Sequence, residues 1–437
     1  MKRCVVLVVA WCLIAAADAA SPAGYYNSTA LAAVVLAFVL GLGVAAFGGV
    51  TAGVNRRLAL VPIGVCLVCA IDDATRPFLY QHGGRLFAIE AMEVSTAVAA
   101  ALLVVAPQRW QRRLWWGVAA LTAASGIVVI ALVRDPGIDV WDLLQQSSTG
   151  LFHGADMYRQ HWAHSTGLQT IYPYLPITTV LLAPFRLMFL DVRVGLLAAT
   201  LLASWLVRRA SPTSGTPLSC LLLVTPGSLL LVNRSWTEPM LVLFLTGAIL
   251  AIRSGRGGLA VVALAAALAC KQPVVLLVPV FAVWPGFGLR RTLTSAGLAL
   301  LAVLPWLIAG PSAFWHDAVR ANLDLGTRTS ALDLPSFLLR HGHHTGFWLL
   351  AVFLAGTYLL VWRRVRRTTS GLALSCALVM LAYDLANKQT YFNHYQLPLG
   401  LLVVALVTAD ATAPQAEASS RWGLRRGSTG ADRPVPA

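Results

Sequence analysis

Apolar runs of about 20 residues recur along the whole chain, separated by short charged or Pro/Gly-containing joints. A helix of about 20 apolar residues crosses the roughly 30 Å hydrocarbon core of a bilayer with all its backbone hydrogen bonds made internally. Hydrophobic residues make up 58% of the 437 residues and charged ones only 12%, a balance that a soluble globule of this length cannot hide from water. The sequence therefore predicts an all-α fold, a polytopic transmembrane helix bundle.

The pattern predicts about a dozen spans, joined by loops that face alternate sides of the membrane. The predicted spans are 29–51, 58–71, 87–106, 114–133, 218–232, 240–252, 258–284 (interrupted by "KQP"), 293–309, 346–362, 371–387 and 395–409. Residues 171–207 are harder to place, because "FRLMFLDVR" divides this stretch in two. A re-entrant or tilted half-helix would return the chain to the correct side.

Four regions follow from this division. Residues 1–20 have a basic start, an apolar middle and a small-residue site around Ala17 to Ala19, so they resemble a signal peptide, either cleaved or kept as an anchor. Residues 21–133 are expected to form N-terminal transmembrane helices, and 134–409 the functional region. The last segment, 410–437, is rich in Ala, Pro, Ser and Arg and is predicted to be a disordered cytoplasmic tail.

The basic residues explain the net charge of +15 without any nucleic-acid partner. They form small clusters between apolar runs, the distribution expected of cytoplasmic loops. Most acidic residues then fall on the outer side, so we expect a multi-pass cell-membrane protein with its polar loops and active site on the extracytoplasmic face. The seven cysteines lie in or beside apolar runs, and their positions imply neither a disulfide framework nor a zinc site.

The outward loops carry an unusual density of polar and aromatic residues. Four of the chain's 18 acidic residues lie in or beside the stretch "GIDVWDLLQQSSTGLFHGADMYRQ" at 137–160. Lys271 and Lys388 are the only lysines besides Lys2, and both precede Gln at a predicted outer helix end, against the positive-inside trend. Phosphate binding is one interpretation of the two lysines; snorkelling of each ammonium to lipid headgroups is the other.

The order of several short motifs carries a family resemblance. "GIDVWDLL", "GADMY", "YPYLPITTVLLAPF", an "EP" span end, "KQP" and "NKQTYFNHYQLP" follow one another between residues 134 and 409. This series resembles the GT-C superfamily of integral membrane glycosyltransferases. It is most similar to glycosyltransferase family 87, which includes polyprenyl-phosphate-mannose-dependent mannosyltransferases.

The resemblance implies a GT-C-like cavity on the outer side and transfer of a sugar, with mannose expected. The donor would be a polyprenyl-phosphate-linked sugar and the acceptor a cell-envelope glycolipid or glycan, among membrane lipids and without a cofactor. A carboxylate in an outward loop would act as general base, because an acceptor hydroxyl is a weak nucleophile. Asp139, just past the Pro136-Gly137 turn, fits this role best, with Asp142 as its substitute or a second acceptor-binding group. The alternative is that both carboxylates only solvate a loop or cap a helix.

The remaining candidates surround the expected donor and acceptor. Lys271, Lys388 and His394 are candidates to bind the donor phosphate. Tyr172, Tyr174, Glu238, Arg328 and Tyr391 are expected to line the substrate cavity. "HGHH" at 341–344 has the histidine density of a metal site, but it lacks Cys or Asp at ligand spacing, so no metal is assigned.

Two alternatives stay open. The catalytic Asp of such enzymes usually follows the first span, whereas about four predicted spans precede Asp139; either the N-terminal helices are an added bundle or the base is Asp72 or Asp73. A transporter or flippase of lipid-linked sugars would also need many spans and a polar cavity, and would place ionisable groups near span midpoints. Asp384 and Glu90 are the residues that favour this second function.

Overall fold

The computed structural model describes residues 2–21, 25–50, 53–75, 84–160, 162, 171–211 and 214–409. Most of these residues are in helices, and no strand is present among them. The predicted tail, 410–437, lies outside the described residues. The all-helical architecture is as predicted.

The helices of the first half are α1 Lys2–Ala20, α2 Ser28–Ala46, α3 Arg56–Thr75, α4 Gly84–Val105, α5 Gln108–Leu132, α6 Asp139–Phe152, α7 Pro176–Phe189, α8 Arg193–Ala210, α9 Gly215–Ser219, α10 Leu221–Val224 and α11 Ser228–Asn233. Those of the second half are α12 Glu238–Arg253, α13 Gly257–Cys270, α14 Val278–Ala282, α15 Gly288–Ala309, α16 Pro311–Phe314, α17 Ala321–Asp324, α18 Leu334–Arg340, α19 Trp348–Arg364, α20 Thr369–Ala386 and α21 Phe392–Thr408. A 3₁₀ turn, Gln272–Leu277, follows α13, and a π-helical turn, Trp315–Arg320, joins α16 to α17.

Seven of the described helices are long and apolar enough to cross a membrane: α1 to α5, α15 and α20. The bent pair α7 and α8 adds an eighth if it counts as one span. The protein is therefore a helical membrane protein. Helix α20 is 94% buried over its apolar window and α15 only 22%, so α20 lies in the core of the bundle and α15 presents most of its apolar surface to lipid.

The break predicted at "FRLMFLDVR" is present. α7 ends at Phe189 and α8 begins at Arg193, with an angle of 112° between them. Leu190, between the helices, has a φ of +62°, outside the helical range. The chain thus turns sharply where the charged residues interrupt the apolar run.

The structure contradicts the prediction of a single span over residues 218–232. The structure divides it among α9, α10 and α11. Pro226 and Gly227 stand in its centre, and Gly227 has a φ of +74°, a conformation that interrupts a right-handed helix. The apolar character of the run was visible in the sequence, but the "TPG" break decides its shape.

Helix α1 packs into the bundle rather than standing apart from it. It contacts α2, α3 and α21. The Trp11 indole is buried and donates to the Leu399 backbone carbonyl at 3.2 Å, and Asp18 accepts from the Gln396 amide at 2.7 Å. Removal of this helix would expose apolar surface on three neighbours.

We therefore expect residues 2–20 to be part of the folded protein. Mass spectrometry of the intact protein purified through a C-terminal tag should give a mass that includes this segment. A mature chain that begins near Ala20 would contradict the packing. As a control, Asp18→Asn retains the hydrogen-bonding shape toward Gln396 and should leave processing and yield unchanged.

Candidate functional site

A polar cavity of about 510 Å³ lies at one end of the bundle. It is surrounded by the end of α13, the end of α20, and the beginnings of α6, α12 and α21. Arginines cluster at the ends of six helices, and these ends point away from the cavity; the helices are α3, α5, α8, α12, α15 and α19. Such separation of the basic clusters from the cavity is the pattern expected if the cavity faces the outer side.

Most of the predicted site residues line this one cavity. They are Asp139, Tyr174, Glu238, Lys271, Arg328, Lys388, Tyr391 and His394. Lys271 and Lys388, 117 residues apart in sequence (388 − 271), thus face the same space. The structure brings together residues from six separate segments of the chain.

Asp139 is the first residue of α6, beside the apolar side chains of Ile138 and Val140. Its Oδ1 accepts from the Val140 N–H at 2.8 Å. Burial is the largest influence on this carboxyl and raises its pKa above the ordinary range, although that hydrogen bond and the Arg328 charge act in the opposite direction. Asp139 is not the N-cap residue, which is Ile138.

The loop before Asp139 is fixed by a buried ion pair at the α7–α8 break. The Arg193 guanidinium, fully buried, lies 2.6 Å from the Asp191 carboxylate. The same guanidinium donates to the Val133 carbonyl at 2.8 Å and lies over the Trp141 ring. A second buried arginine, Arg234, donates to the Pro136 carbonyl and also lines the cavity. These contacts hold both sides of the chain that carries Asp139.

Glu238 and Lys271 form an ion pair in the cavity wall. The Lys271 Nζ lies 2.7 Å from Glu238 Oε1, and the two side chains are 15% and 2% exposed. Asn393 Nδ2 donates to the same oxygen at 3.2 Å. Lys271 follows directly on α13, and Pro273 prevents an α-helix from continuing regularly past it. The ammonium predicted to bind phosphate is thus already paired with a carboxylate.

His394 lies beside a buried acid. Its Nδ1 is 3.7 Å from Asp384 Oδ1, and the Asp384 side chain is 2% exposed. Asp384 Oδ2 has no hydrogen-bond partner within the described chain. The pair sits behind Lys271 and Glu238, so two acids and two basic groups are concentrated at the base of the cavity.

Each lysine of the cavity is followed by a glutamine that fixes the segment from α16 to residue 328. Gln272 Nε2 donates to the carbonyls of Pro173, at 2.8 Å, and Ala318, at 2.7 Å. Lys388 Nζ donates to the Leu323 carbonyl at 2.5 Å, and Gln389 donates to that of Gly326. The two "KQ" pairs therefore fasten the same segment over the cavity. Beside it lies an open cleft of about 480 Å³ whose lining shares Arg328 and Gln389 with the cavity.

Two predicted residues lie elsewhere. Tyr172 is fully buried, and its N–H donates to Asp317 Oδ2 at 2.9 Å, so it is a core residue rather than a cavity residue. Asp142 is not among the residues that line the cavity. At 100° per residue, Asp139, Val140 and Leu143 face one side of α6, whereas Asp142 lies about 60° beyond Asp139 in the other direction. A three-residue spacing was too coarse to place both carboxylates on one face.

Asp72 and Asp73, the alternative bases, are in the last turns of α3 and do not line the cavity. The three histidines of "HGHH" are exposed. Among the described residues, no group of three or more His, Cys, Asp or Glu side chains is placed to hold a metal ion.

Several cavity residues were not singled out from the sequence. Arg234 shortly precedes the "EP" span end, and Asn393 lies within "NKQTYFNHYQLP". The polar density at these two span ends was the available signal. The pairing of Arg193 with Asp191 had no such signal, since charged residues at a predicted break are ordinarily solvated.

Comparison with known proteins gives no identification. No family model matches the sequence, and no match was found among the curated proteins or the solved structures. The cavity geometry is therefore the basis on which a function is proposed.

Proposed function

We propose that the protein is a GT-C-like glycosyltransferase of about a dozen full and partial spans. It moves a sugar, mannose in the first instance, from a polyprenyl-phosphate donor to a glycolipid or glycan acceptor at the outer face of the cell membrane. The observation that carries the proposal is the state of the two carboxylates lining the cavity. Glu238 is neutralised by Lys271, which leaves Asp139 as the proton acceptor. The choice of a polyprenyl-phosphate sugar as donor rests on the resemblance of the motif series to glycosyltransferase family 87.

The cavity suits a sugar and its phosphate. Its volume of about 510 Å³ is within the range of small-molecule sites. Tyr174 and Trp236 offer aromatic surface, and Gln272, Asn387 and Asn393 offer amides for hydroxyl groups. Basic side chains outnumber acidic ones in the lining, which favours an anionic ligand.

The reaction assigns a role to each kind of group. The Asp139 carboxylate takes the proton of the acceptor hydroxyl while its oxygen forms a bond to the anomeric carbon. The bond between that carbon and the donor phosphate oxygen breaks, and polyprenyl phosphate leaves with the electron pair. Lys388, Arg328 and His394 offset its added negative charge, and Lys271 does so while remaining paired with Glu238.

The test is transfer of label by the purified protein. Protein reconstituted in liposomes is supplied with radiolabelled short-chain polyprenyl-phosphate mannose and with a lipid extract of the source membranes as acceptor. Label should move into a new glycolipid or glycan product. Matched donors that carry arabinofuranose or glucose identify the sugar, and an absence of transfer from every donor would overturn the proposal.

A second candidate is transport of lipid-linked sugars. Asp384 is a buried ionisable group in the last turn of α20, with His394 beside it, and the bent pair α7 and α8 is a discontinuous helix of the kind that transporters use. The same liposomes distinguish the two functions. Movement of intact labelled donor between leaflets, without a new product, would favour transport.

The pH dependence of transfer should report the burial of Asp139. The base acts only when ionised, and burial raises the pKa of its carboxyl. Activity should therefore fall as the pH decreases through a value above about 3.9, the ordinary pKa of Asp. The acid limb of kcat/KM measures this group in the free enzyme. An acid limb below that value, or one unchanged in the residual activity of Asp139→Asn, would contradict the assignment.

A further inference from the structure

A cluster of three arginines lies at the end of the bundle opposite the cavity. Arg112 is near the beginning of α5, and Arg208 and Arg209 are in the last turn of α8. The Arg208 guanidinium lies over the rings of Trp115 and Trp116, one turn of α5 beyond Arg112, and Arg209 is its neighbour in α8. Three like charges are thus held together by the packing of α5 against α8.

Tryptophan side chains hold the cluster in place. The Arg208 guanidinium carbon lies 4.4 Å from the centre of the Trp115 ring and 5.1 Å from that of Trp116. Trp115 is itself buried, and its Nε1 donates to Ser219 Oγ at 2.8 Å. Arg209 lies 5.1 Å from the Trp205 ring centre. A guanidinium stacked on aromatic faces keeps its N–H edges free for another ligand.

Within the part of the chain that the structure describes, no carboxylate balances these charges. None of the three arginines is in a salt bridge within the described chain, and Arg208 Nε is buried without a hydrogen-bond partner there. Arg253 and Arg291, at the same end of the bundle, differ because they donate to the backbone carbonyls of Ala210 and Gly286. The cluster is therefore a site with unused donors and uncompensated charge.

We propose that this cluster binds the phosphate headgroup of an anionic phospholipid. A phosphate accepts two parallel N–H bonds from a guanidinium and would remove the mutual repulsion of the three charges. A lipid fits better than a soluble anion because the neighbouring Trp110 and Trp116 are about half exposed beside an apolar span, where indole rings contact the interface and the upper acyl chain. The site is at the other end of α5 from the cavity and does not depend on the proposed transferase activity.

Native mass spectrometry from mixed micelles tests this site. Phosphatidylglycerol and phosphatidylcholine are supplied in equal amounts, and the retained lipids are counted. Wild-type protein should retain phosphatidylglycerol in preference. Arg112→Gln/Arg209→Gln should weaken that preference about tenfold or more, the loss expected for charge-assisted hydrogen bonds.

The matched control is Arg363→Gln/Arg364→Gln, which removes the same charge from exposed arginines at the same end of the bundle. It should keep the wild-type preference. Equal losses in both variants would reduce the effect to general surface charge and overturn the site. Displacement of the lipid by millimolar inorganic phosphate would also overturn it, in favour of a soluble anion. Arg208→Lys keeps the charge but lacks the bidentate donor geometry of the guanidinium, so its preference for phosphatidylglycerol should lie between those of wild type and the double variant. Because this variant changes a single side chain and keeps its charge, it also checks that the loss in the double variant does not come from misfolding.

Discussion

Replacing Asp139 with asparagine is expected to lower the rate of sugar transfer by about 100-fold to 10,000-fold, the usual contribution of a positioned general base. The amide has nearly the shape of the carboxylate but cannot take a proton from the acceptor hydroxyl. Its oxygen can still accept from the Val140 N–H, so the beginning of α6 should keep its structure. Initial rates of label transfer by reconstituted protein measure the effect.

Asp142→Asn is the matched control. It makes the same chemical change three residues further along α6, at a side chain that does not line the cavity. Its turnover should stay close to that of wild type. Near-normal turnover of Asp139→Asn would remove Asp139 from the reaction, and equal losses in both variants would show that α6 is merely destabilised.

The sequence predicted the helical membrane fold because its signal is spread over the whole chain. Long apolar runs leave few alternatives to spanning helices. Helix breaks that depend on single residues were harder to predict from the sequence. The predicted span 218–232 is divided at Cys220 and at "TPG" among three short helices, and neither break was recognised. The break at "FRLMFLDVR" was recognised because charged residues mark it.

The convergence of the candidate site residues was predictable, because the sequence places polar residues at span ends that were all expected on the same side of the membrane. Eight of the ten residues singled out line one cavity, since helix ends at the same membrane face are necessarily near one another. Which side chain points inward was not predictable. Tyr172 and Tyr174 belong to one short motif, yet only Tyr174 lines the cavity. The Tyr172 ring instead packs against Tyr158 in the core, and its hydroxyl forms a hydrogen bond with Thr179.

The sequence also could not predict which side chains of the site pair with one another. Lys271 and Glu238 are 33 residues apart and meet only because α12 and α13 pack as an antiparallel pair. From the sequence, Lys271 and Lys388 were equivalent candidates, each expected to bind the donor phosphate. Because Lys271 alone of the two forms an ion pair with a described carboxylate, replacing each lysine is expected to affect stability differently.

Lys271→Met alone is expected to destabilise the folded protein by about 3–5 kcal/mol, in addition to lowering turnover. The change leaves the Glu238 carboxylate buried, with Asn393 as its one remaining hydrogen-bond donor to Oε1 among the described side chains. An uncompensated buried charge costs much more than the pair itself contributes. Lys388→Met should differ, because the Lys388 Nζ donates to a backbone carbonyl at the more exposed mouth of the cavity and forms no salt bridge with a described carboxylate. Its loss should lower turnover while stability stays near that of wild type.

The double variant Glu238→Gln/Lys271→Met decides whether the ion pair causes the destabilisation. Removing both charges leaves no buried carboxylate, so the apparent melting temperature in detergent should return most of the way to that of wild type, although Lys271→Met alone lowers it strongly. Turnover should not return with it, because the cavity still lacks the Lys271 ammonium, one of the basic groups proposed to offset the charge of the departing phosphate. Recovery of stability without recovery of activity would thus assign Lys271 two separable functions. If the double variant is as unstable as Lys271→Met, the carboxylate is not the cause; if its turnover recovers as well, Lys271 serves the fold and takes no part in donor binding.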